Sequence, residues 1–489
     1  MIASTRYGWP KTALSVFAIM LLALSCHCHH GRPIDIGWIG NPGYQVPDTN
    51  KFPLKYQVVV WKNPDSSKEQ YQRWLSDLKK EVPNVQALAV CSHCDSDMIL
   101  LYDSTLLPIL QNGTVGGSGG GPSPGPSGNN GPTLYCSNYG LNSHDSGQVY
   151  RLERGKLPQR FATNYTWPKV TPSGTPLTVA VFDSGLDSLG SSVVATVGST
   201  CFETPAGMSS SHGWNFVDNS ANTQDDMPDK HGTKVTKIIL NQVQEYGGSN
   251  VNILPVKIFD STGRGTVFGM LCAFAYASGA GAKIVNASFG FYHYAQADTA
   301  STLKVENMLG AFMNKYLNAT GMLLVAAAGN DDTAEDAVFQ TMNHTANYRY
   351  LDSNRFYPAC FAKTFNNVIT VTTVSDRTQK PSPLQNASAN IVDAGAQCDT
   401  IAPGGIYVFY DPINPPKTVG GVYTIYTITG SSFAAPVVTG RIAALYSHLA
   451  NKTDKHVIIP AMNTMANGRQ VLLIDKALAD SIVHGELAP

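Results

Sequence analysis

One serine lies at a position where the chain could turn it into a nucleophile. Ser432 stands near the start of GSSFAAPVVTG, residues 430–440, a stretch of small residues that predicts a closely packed helix. The first turn of a helix presents unpaired backbone N–H groups and a partial positive charge, which can hold an oxyanion that develops beside a serine. Pro436 is expected to be tolerated because it falls in that first turn. The alternative is a helix cap followed by a buried helix, since caps are far commoner than nucleophiles.

Three further polar residues lie at comparable positions along the chain. Asp183 ends the predicted strand TPLTVAVFD, His231 opens the predicted helix HGTKV, and Asn330 follows the apolar strand MLLVAAAG. Such ends are where sites form in an open parallel sheet. A serine hydroxyl needs a base to take its proton, so we predict His231 as the base and Asp183 as the group that orients it. Taken singly, Asp183 could be a turn residue, Asn330 a helix cap and His231 a buried histidine. Together with a serine that only caps a helix, these alternatives require four coincidences in the right order.

The order of these motifs resembles that of the subtilisin-like serine protease family, with some likeness to its proteinase K branch. The likeness extends over residues 150–449 and includes the stretches GWNFVDN, LPVKIFDSTGRGT, NASFG, NVITVTTVSDR and IAPG. It implies a serine endopeptidase, a hydrolase in which Ser432 attacks the peptide carbonyl of the substrate. It also implies that the Asn330 side chain and the Ser432 backbone N–H group form the oxyanion hole.

The resemblance further implies that the substrate binds as an added strand between two edges of the enzyme. The residues implied to contact it, along those edges and in two side-chain pockets, are Gly263, Arg264, Gly265, Val267, Ser288, Phe289, Gly290, Ala327, Ala328, Gly329 and Asp331. The pocket for the side chain before the scissile bond has small walls, so we expect it to favour large apolar side chains. Asp331 at its mouth is expected to allow Lys and Arg as well. Val267 and Phe289 line the second, apolar pocket.

From residue 175 onward, apolar strands alternate with helical stretches. This alternation predicts an α/β fold of three layers, in which a mostly parallel sheet lies between helices, as the resemblance to subtilisins also implies. The stretch GGVYTIYTITG, residues 420–430, predicts a hairpin that leads to the candidate nucleophile. On the helix that begins at His231, we expect Lys234 and Lys237 to lie beside the buried face and to be partly exposed.

A small unit of strands and one helix is predicted near the start of the chain. Strands are predicted at residues 55–61, 86–90 and 98–102, and the helix between the first two begins with a capping box of Ser66 and Glu69. The helix is predicted to bury one face, formed by Tyr71, Trp74, Leu75 and Leu78.

This small unit resembles the inhibitory pro-segment of many subtilases, the alternative being an unrelated N-terminal domain. We therefore assign residues 26–111 to an α+β pro-segment, with its folded unit over residues 55–102, and residues 133–489 to the catalytic domain. The stretch 112–132, rich in Gly, Ser, Pro and Asn, cannot bury apolar area and predicts a flexible linker. The excised pro-segment is expected to inhibit the mature enzyme, with its C-terminal end in the substrate cleft as a strand.

Residues 1–25 predict a secretory signal peptide. Arg6 and Lys11 precede an apolar run that is too short to cross a bilayer, and small residues follow it. We therefore expect a protein that is secreted or lies in the secretory pathway. With a formal net charge of -1, the composition indicates neither a nucleic-acid partner nor a polybasic membrane contact. The expected partners are protein or peptide substrates and the chain's own pro-segment, and the expected state is a monomer.

Export would permit disulfides and, in a eukaryotic host, N-glycosylation. Cys91 and Cys94, in CSHC, predict a local disulfide or two free thiols, because no second ligand pair follows at zinc spacing. The protease region has an odd set of cysteines, so at least one is free or pairs elsewhere: Cys136, Cys201, Cys272, Cys360 and Cys398. The glycosylation sequons begin at Asn112, Asn164, Asn286, Asn318, Asn343, Asn386 and Asn451. Asn286, in NASFG, is expected to be too enclosed for modification.

No cofactor is expected for the chemistry itself, and two other functions remain open. A structural calcium ion is possible but unassigned, since solvated loop carboxylates are the commoner interpretation of Asp187, Asp225, Asp226 and Asp229. A secreted pseudoprotease or binding protein on the same fold would have lost a triad residue, and none is lost. Another serine hydrolase, such as an esterase, would place its serine in a G-x-S-x-G elbow, which does not surround Ser432.

Overall fold

The structure, a computed structural model, covers most of the chain between residues 53 and 465. It describes residues 51, 53–91, 96–111, 133–142, 148–152, 167–168, 170–187, 194, 197–198, 210–293, 299–331, 349–352, 355–375, 380–401, 406–419 and 422–465. The predicted signal peptide and linker lie outside these residues. Within them, no helix combines the length and the apolar character that crossing a membrane requires.

Strands and helices alternate along the described part of the chain. The strands are β1 (Gln57–Lys62), β2 (Gln86–Cys91), β3 (Met98–Tyr102), β4 (Thr133–Ser137), β5 (Gly140–Asn142), β6 (Gln148–Leu152), β7 (Leu177–Asp183), β8 (Val197–Gly198), β9 (Ser210–Ser211), β10 (Trp214–Asn215), β11 (Val251–Lys257), β12 (Arg264–Thr266), β13 (Ile284–Ala287), β14 (Phe291–His293), β15 (Leu323–Ala327), β16 (Arg355–Tyr357), β17 (Val368–Ser375), β18 (Ala394–Ile401), β19 (Ile406–Tyr410), β20 (Lys417–Val419) and β21 (Val422–Ile428). The helices are α1 (Lys68–Glu81), α2 (Leu106–Gln111), α3 (His231–Glu245), α4 (Val267–Gly279), α5 (Thr299–Met313), α6 (Ser431–Leu445) and α7 (Lys455–Met465).

The larger sheet has a parallel centre and helices on both faces. Its parallel strands follow the order β10-β11-β7-β13-β15-β17-β18, and β19, β21, β20 and β6 extend one edge by antiparallel pairing. Along β7, Val179 and Val181 pack in the core that contains α3 and α6. The alternate residues Ala180 and Phe182 point to the other face and pack in the core that contains α4 and α5. The predicted three-layer α/β fold is therefore confirmed.

The helices α3 and α6 lie side by side on one face of this sheet. They approach closely at Gly440, where an added Cβ would overlap the backbone oxygen of Ile239 in α3. Almost every residue of α6 is buried, as in a helix enclosed by its neighbours. Since His231 begins α3 and Ser432 is near the start of α6, this packing brings the two residues to one end of the helix pair.

The chain enters α6 from a hairpin. The strands β20 and β21 pair antiparallel, with Val419 opposite Val422, so a hairpin precedes the helix as predicted. Its first strand, β20, lies before the predicted stretch 420–430, and its second strand, β21, lies within that stretch. Gly430 then precedes the helix with a φ of 134°, a backbone conformation that glycine adopts without a Cβ clash.

The helix α3 buries more of its surface than its sequence predicts. The expectation that Lys234 and Lys237 are partly exposed is wrong, because only 4% and 3% of their surfaces are accessible. Lys234 Nζ lies 3.2 Å from Oδ2 of the buried Asp411. Lys237 Nζ lies over the Trp167 ring, 5.2 Å from its centroid, and burial lowers the pKa of Lys237 against the opposing effect of Asp411. The residues that cover both lysines come from distant parts of the chain, which helical periodicity does not reveal.

The small N-terminal unit is an antiparallel sheet in the order β2-β3-β1-β4, with α1 on one face. The buried face of α1 is the predicted one, formed by Tyr71, Trp74, Leu75 and Leu78. The capping box is one residue later than predicted: Ser67 Oγ accepts from Gln70 N–H at 3.2 Å, and Gln70 Oε1 accepts from Ser67 N–H at 2.9 Å. Ser66 is not the cap because its N–H donates to Asn63 O in a turn.

The other face of the small sheet packs on the large unit. Trp61 of β1 meets Phe312 of α5 edge to face, with ring centroids 5.0 Å apart. Cys91 of β2 forms a disulfide with Cys272 of α4, with Cα atoms 6.0 Å apart. The fourth strand of this sheet, β4, lies beyond the predicted linker, so the sheet is completed by residues that sequence reasoning places in the catalytic domain.

Candidate active site

A buried pair of Asp183 and His231 forms the first part of the site. Asp183 is the last residue of β7, and His231 is the first residue of α3. His231 Nδ1 lies 2.7 Å from Asp183 Oδ1, and the two side chains are 0% and 1% exposed. A carboxylate only accepts hydrogen bonds, so Nδ1 carries the proton and donates it, which leaves Nε2 as the basic nitrogen.

Ser432 lies beside this pair, at the start of α6. It is the second residue of the helix and is buried. The ring of the next residue, Phe433, lies against the imidazole of His231, with centroids 5.1 Å apart. The structure thus places the pair of Asp183 and His231 beside the start of the helix that carries the predicted serine.

A proline inside α6 changes how the serine carbonyl is held. Pro436 is the sixth residue of the helix, so the expectation that it falls in the first turn is wrong. It has no N–H group for the carbonyl four residues earlier, which belongs to Ser432. Ser288 Oγ donates to that carbonyl at 2.7 Å and accepts from Asn286 Nδ2 at 2.8 Å. The proline is therefore tolerated because a side chain from the implied substrate edge replaces the missing helical bond.

The side chain of Asn330 is oriented by Ser431. Asn330 Oδ1 accepts from the backbone N–H of Ser431 at 2.7 Å and from its hydroxyl at 3.0 Å. The N–H of Gly329 donates to the same hydroxyl at 3.0 Å. Since a backbone N–H can only donate, the atom that faces it is the amide oxygen. The amide nitrogen of Asn330 is then the side-chain atom that would donate to an oxyanion.

The backbone of Asn330 is held by a polar cluster that sequence reasoning missed. Its carbonyl oxygen accepts from Tyr292 OH at 2.7 Å and from Arg349 Nη1 at 2.6 Å. Asn386 donates through Nδ2 to Ala328 O at 2.8 Å and accepts at Oδ1 from Arg349 Nη1 at 3.2 Å. Arg349 is only 5% exposed. No sequence motif marks this cluster, because its members come from three separate segments.

One implied substrate edge is occupied by the chain itself. The short strand β5 pairs antiparallel with β12, with Leu141 opposite Gly265. The pairing continues at Tyr139, whose carbonyl accepts from the N–H of Val267 at 3.0 Å. Leu141 is fully buried in the same apolar core as Val267 and Phe289, the residues that the resemblance implies for the second pocket.

An aromatic side chain lies between the walls implied for the pocket of the residue before the scissile bond. The ring of Phe356, in β16, lies between two glycines of the pocket walls. An added Cβ at Gly290 would overlap this ring, and one at Gly329 would lie 3.1 Å from two of its carbons. Sequence reasoning predicts the small walls but not the aromatic side chain that lies against both of them, and the preference for large apolar residues stays a prediction.

The remaining residues implied to contact substrate divide into buried and exposed positions. Asp331 is exposed, as its predicted place at the mouth of the pocket requires. On the implied substrate edges, Arg264 is exposed and Phe289 is buried. Ala327 and Ala328 are both buried but belong to the cores on opposite faces of the sheet. Of these two residues, only Ala328 shares a core with the Phe356 ring.

Carboxylates considered for calcium have partners within the chain. Asp225 is buried and accepts from Ser184 Oγ at 2.9 Å and from Thr233 Oγ1 at 2.8 Å, so the expectation of a solvated carboxylate is wrong for this residue. Asp226 Oδ1 lies 2.6 Å from Lys257 Nζ. In the described ranges, no group of three or more His, Cys, Asp or Glu side chains is placed to hold a metal ion. Calcium binding stays an unassigned prediction.

The cysteines pair differently from the prediction. The prediction of a local disulfide or two free thiols is wrong for Cys91, which forms a disulfide with Cys272. Cys94 and Cys201 lie outside the described residues. Cys136 and Cys360 are buried thiols, and burial raises the pKa of each to about 12. Such thiols ionise too little to react at neutral pH.

The described sequons differ in exposure. Asn286 is fully buried, which confirms that it is too enclosed for modification, and Asn386 is buried as well. Asn318 and Asn451 are exposed. The sequons at residues 112, 164 and 343 lie outside the described part of the chain.

Known proteins resemble this chain over its second part. The family described as Peptidase_S8, Subtilase family, matches residues 174–483 of the 489-residue chain. The thermophilic serine proteinase of Bacillus sp. (strain AK1) is 27% identical over 302 residues, which are 61% of this chain and 58% of that protein. Fervidolysin of Fervidobacterium pennivorans is 28% identical over 336 residues, which are 64% of this chain and 40% of that protein.

The crystal structure of fervidolysin superimposes with a TM-score of 0.48 at 18% identity and covers 85% of this chain and 58% of that one. The chain thus spans about half the length of the curated relatives it matches, 58% and 40% of them. The likeness to the proteinase K branch stays a prediction. Because the family match extends over more than half of its residues, the chain belongs to the subtilase family.

Proposed function

We propose that this chain is a secreted serine endopeptidase that hydrolyses peptide bonds through Asp183, His231 and Ser432. The observation that carries the proposal is the buried 2.7 Å contact of His231 Nδ1 with Asp183 Oδ1, beside a serine at the start of a helix. A histidine oriented in this way keeps Nε2 basic, which a serine nucleophile requires and a binding protein does not.

In the proposed reaction, Ser432 Oγ attacks the carbonyl carbon while His231 Nε2 takes the hydroxyl proton. Asp183 stabilises the imidazolium, and the amide nitrogen of Asn330 and the backbone N–H of Ser432 donate to the oxyanion. The imidazolium then protonates the leaving amine, and a water molecule releases the acyl group by the same steps. The bonds from Ser431 to Asn330 support this role, because they orient the amide before substrate arrives.

The proposal is tested with casein and a fluorophosphonate that labels activated serines. Ser432→Ala should abolish both hydrolysis and labelling, and Asp183→Asn should lower kcat by about 10⁴-fold. The matched control is Ser431→Thr, which keeps the hydroxyl that orients Asn330 and should stay active. Labelling of wild type without any peptide hydrolysis would favour an esterase, and neither activity would favour a binding protein.

We also propose that the enzyme is made as a self-processing zymogen whose pro-segment extends at least to Asn142. Two observations support the longer segment: β4 completes the small sheet, and β5 covers the edge at β12 that substrate would use. Ser432→Ala should leave the chain intact, because self-cleavage needs the nucleophile. N-terminal sequencing of the mature wild type should find a start after Asn142, and a start at or before residue 133 would refute the extension.

Secretion, a monomeric state and chemistry without a cofactor belong to the same proposal. Expression with the native N-terminus should deliver the mature enzyme to the medium, and light scattering should give the mass of one chain. Peptide hydrolysis should survive EDTA in an initial-rate assay. Loss of the initial rate on adding EDTA, with recovery on adding calcium, would instead assign the metal.

A further inference from the structure

We infer that Phe356 closes the pocket for the side chain before the scissile bond, so that the enzyme cleaves after small residues. The inference rests on the proposed peptidase function and names its specificity. It reverses the preference for large apolar residues that the small pocket walls predict. The chemical class of substrate is therefore a peptide with Gly, Ala or Ser at that position.

The ring occupies the space between the two walls. One wall is the segment that ends at Gly290, and the other ends at Gly329. A Cβ at Gly290 would overlap the Phe356 ring, and one at Gly329 would lie 3.1 Å from Cδ1 and Cε1. Only 7% of the Phe356 surface is accessible, so the ring is packed on most of its sides. A second aromatic ring cannot share this space, since interiors are packed close to crystal density.

The ring is held in place from several sides, so it cannot swing away at low cost. β16 pairs with β14, which sets Phe356 opposite Tyr292, and the two rings lie 4.8 Å apart between centroids. The backbone N–H of Phe356 donates to Cys360 Sγ at 3.2 Å. Beside Gly329, Asn386 Nδ2 lies where an added Cβ would stand. A large substrate side chain would have to displace this packing.

The chain's own sequence agrees with a shallow pocket. After β5 leaves the substrate edge at Asn142, the next residues are SHDSG, residues 143–147, which include three small residues and no large apolar one. If self-cleavage falls in this stretch, the chain offers Ser or Gly before a scissile bond. A pocket built for Phe or Leu would find no such residue here.

The test measures kcat/KM of the mature enzyme for matched peptides that differ only in the residue before the scissile bond: Gly, Ala, Leu, Phe or Lys. Wild type should favour Ala over Phe by at least about tenfold, since a blocked pocket rejects extra bulk. Phe356→Ala should reverse this order, and Phe356→Val, which keeps more of the packing, should shift it in the same direction. Phe365→Ala removes a ring that lies outside the pocket and should leave the wild-type order unchanged.

Three results decide the inference. A wild-type preference for Ala that moves toward Phe in either variant of Phe356 supports it. Wild-type cleavage after Phe or Leu as fast as after Ala overturns it and leaves the proposed peptidase function standing. No hydrolysis of any peptide by a mature enzyme whose Ser432 cannot be labelled overturns the proposed function, and this inference with it.

Discussion

Replacing Arg349 should slow catalysis although the side chain does not belong to the triad. Arg349 Nη1 donates to the carbonyl of Asn330 at 2.6 Å, and Tyr292 OH donates to the same oxygen at 2.7 Å. These bonds hold the backbone of the residue whose amide would stabilise the oxyanion. Arg349 is therefore a positioning residue, and its effect should appear in kcat rather than in KM.

The loss of kcat expected for Arg349→Met has an upper bound. Losing the whole Asn330 amide should cost about 10²–10³ in kcat, the usual loss for one oxyanion donor. Arg349→Met removes the charge-assisted hydrogen bond to the Asn330 carbonyl, worth about 1.5–3 kcal/mol. It also removes the bonds from Arg349 to Asn386 Oδ1 and Tyr292 OH. The bond from Tyr292 OH to the Asn330 carbonyl remains. We expect only part of this free energy to stabilise the transition state. The substitution should therefore lower kcat about tenfold, which corresponds to about 1.4 kcal/mol in the activation free energy. Tyr292→Phe removes a neutral donor and should lower kcat only a few-fold.

A double-mutant cycle separates positioning from general damage to the fold. In the Asn330→Ala background, Arg349→Met should change kcat little further. Arg349 acts by positioning residue 330, and this residue has already lost the side-chain amide that would donate to the oxyanion. Arg349→Lys, which keeps the charge, should recover part of the activity. The assay is steady-state hydrolysis of one peptide, with the melting temperature of each variant measured alongside. Equal losses of kcat in both backgrounds, or a change confined to KM, would refute the positioning role.

Other consequences of the structure can be measured directly. Lys234→Met should lower the free energy of unfolding in urea by about 3–5 kcal/mol, because it leaves the buried carboxylate of Asp411 without its cation. Adding Asp411→Asn should recover much of this loss, and additive losses would contradict the pairing. After self-cleavage, the two fragments should migrate together on a non-reducing gel and separate on a reducing one, whereas Cys272→Ser should separate them on both. Because burial raises the pKa of Cys136 and Cys360 to about 12, iodoacetamide at pH 8 should modify them only in denaturant, as peptide mass mapping would reveal; modification in the native protein would show that they are accessible.

The places of the candidate catalytic residues in the fold could be predicted because each is encoded within a few residues. Asp183 ends an apolar strand, and His231 begins a helix whose apolar residues face the sheet. The carboxyl ends of parallel strands lie at one edge, so residues at these ends meet without any knowledge of the loops. The three-layer fold follows from the same alternation of strands and helices.

What could not be predicted depends on partners that are distant in the sequence. Helical spacing places Lys234 beside the buried face but does not reveal Asp411, which lies far along the chain and covers it. Cysteine spacing favours a bond within CSHC, yet Cys91 reaches Cys272 because the small sheet lies on α4. Composition marks residues 112–132 as a linker, but it does not indicate that the strand after this linker returns to the small sheet.

The same division separates the chemistry of the site from its selectivity. The proline in α6 is visible in the sequence, but its consequence, a serine carbonyl held by Ser288, requires the strand β13 to end beside the helix. Arg349 and Phe356 lie close together in the chain, on a stretch without any catalytic motif. Arg349 donates to the Asn330 carbonyl, and the ring of Phe356 lies against both glycines of the implied pocket walls. Both act through shape and contact rather than through reactive groups. Two chains with the same triad motifs could therefore share one reaction and differ in the bonds they cut, because the residues that decide this difference need only pack against the motifs.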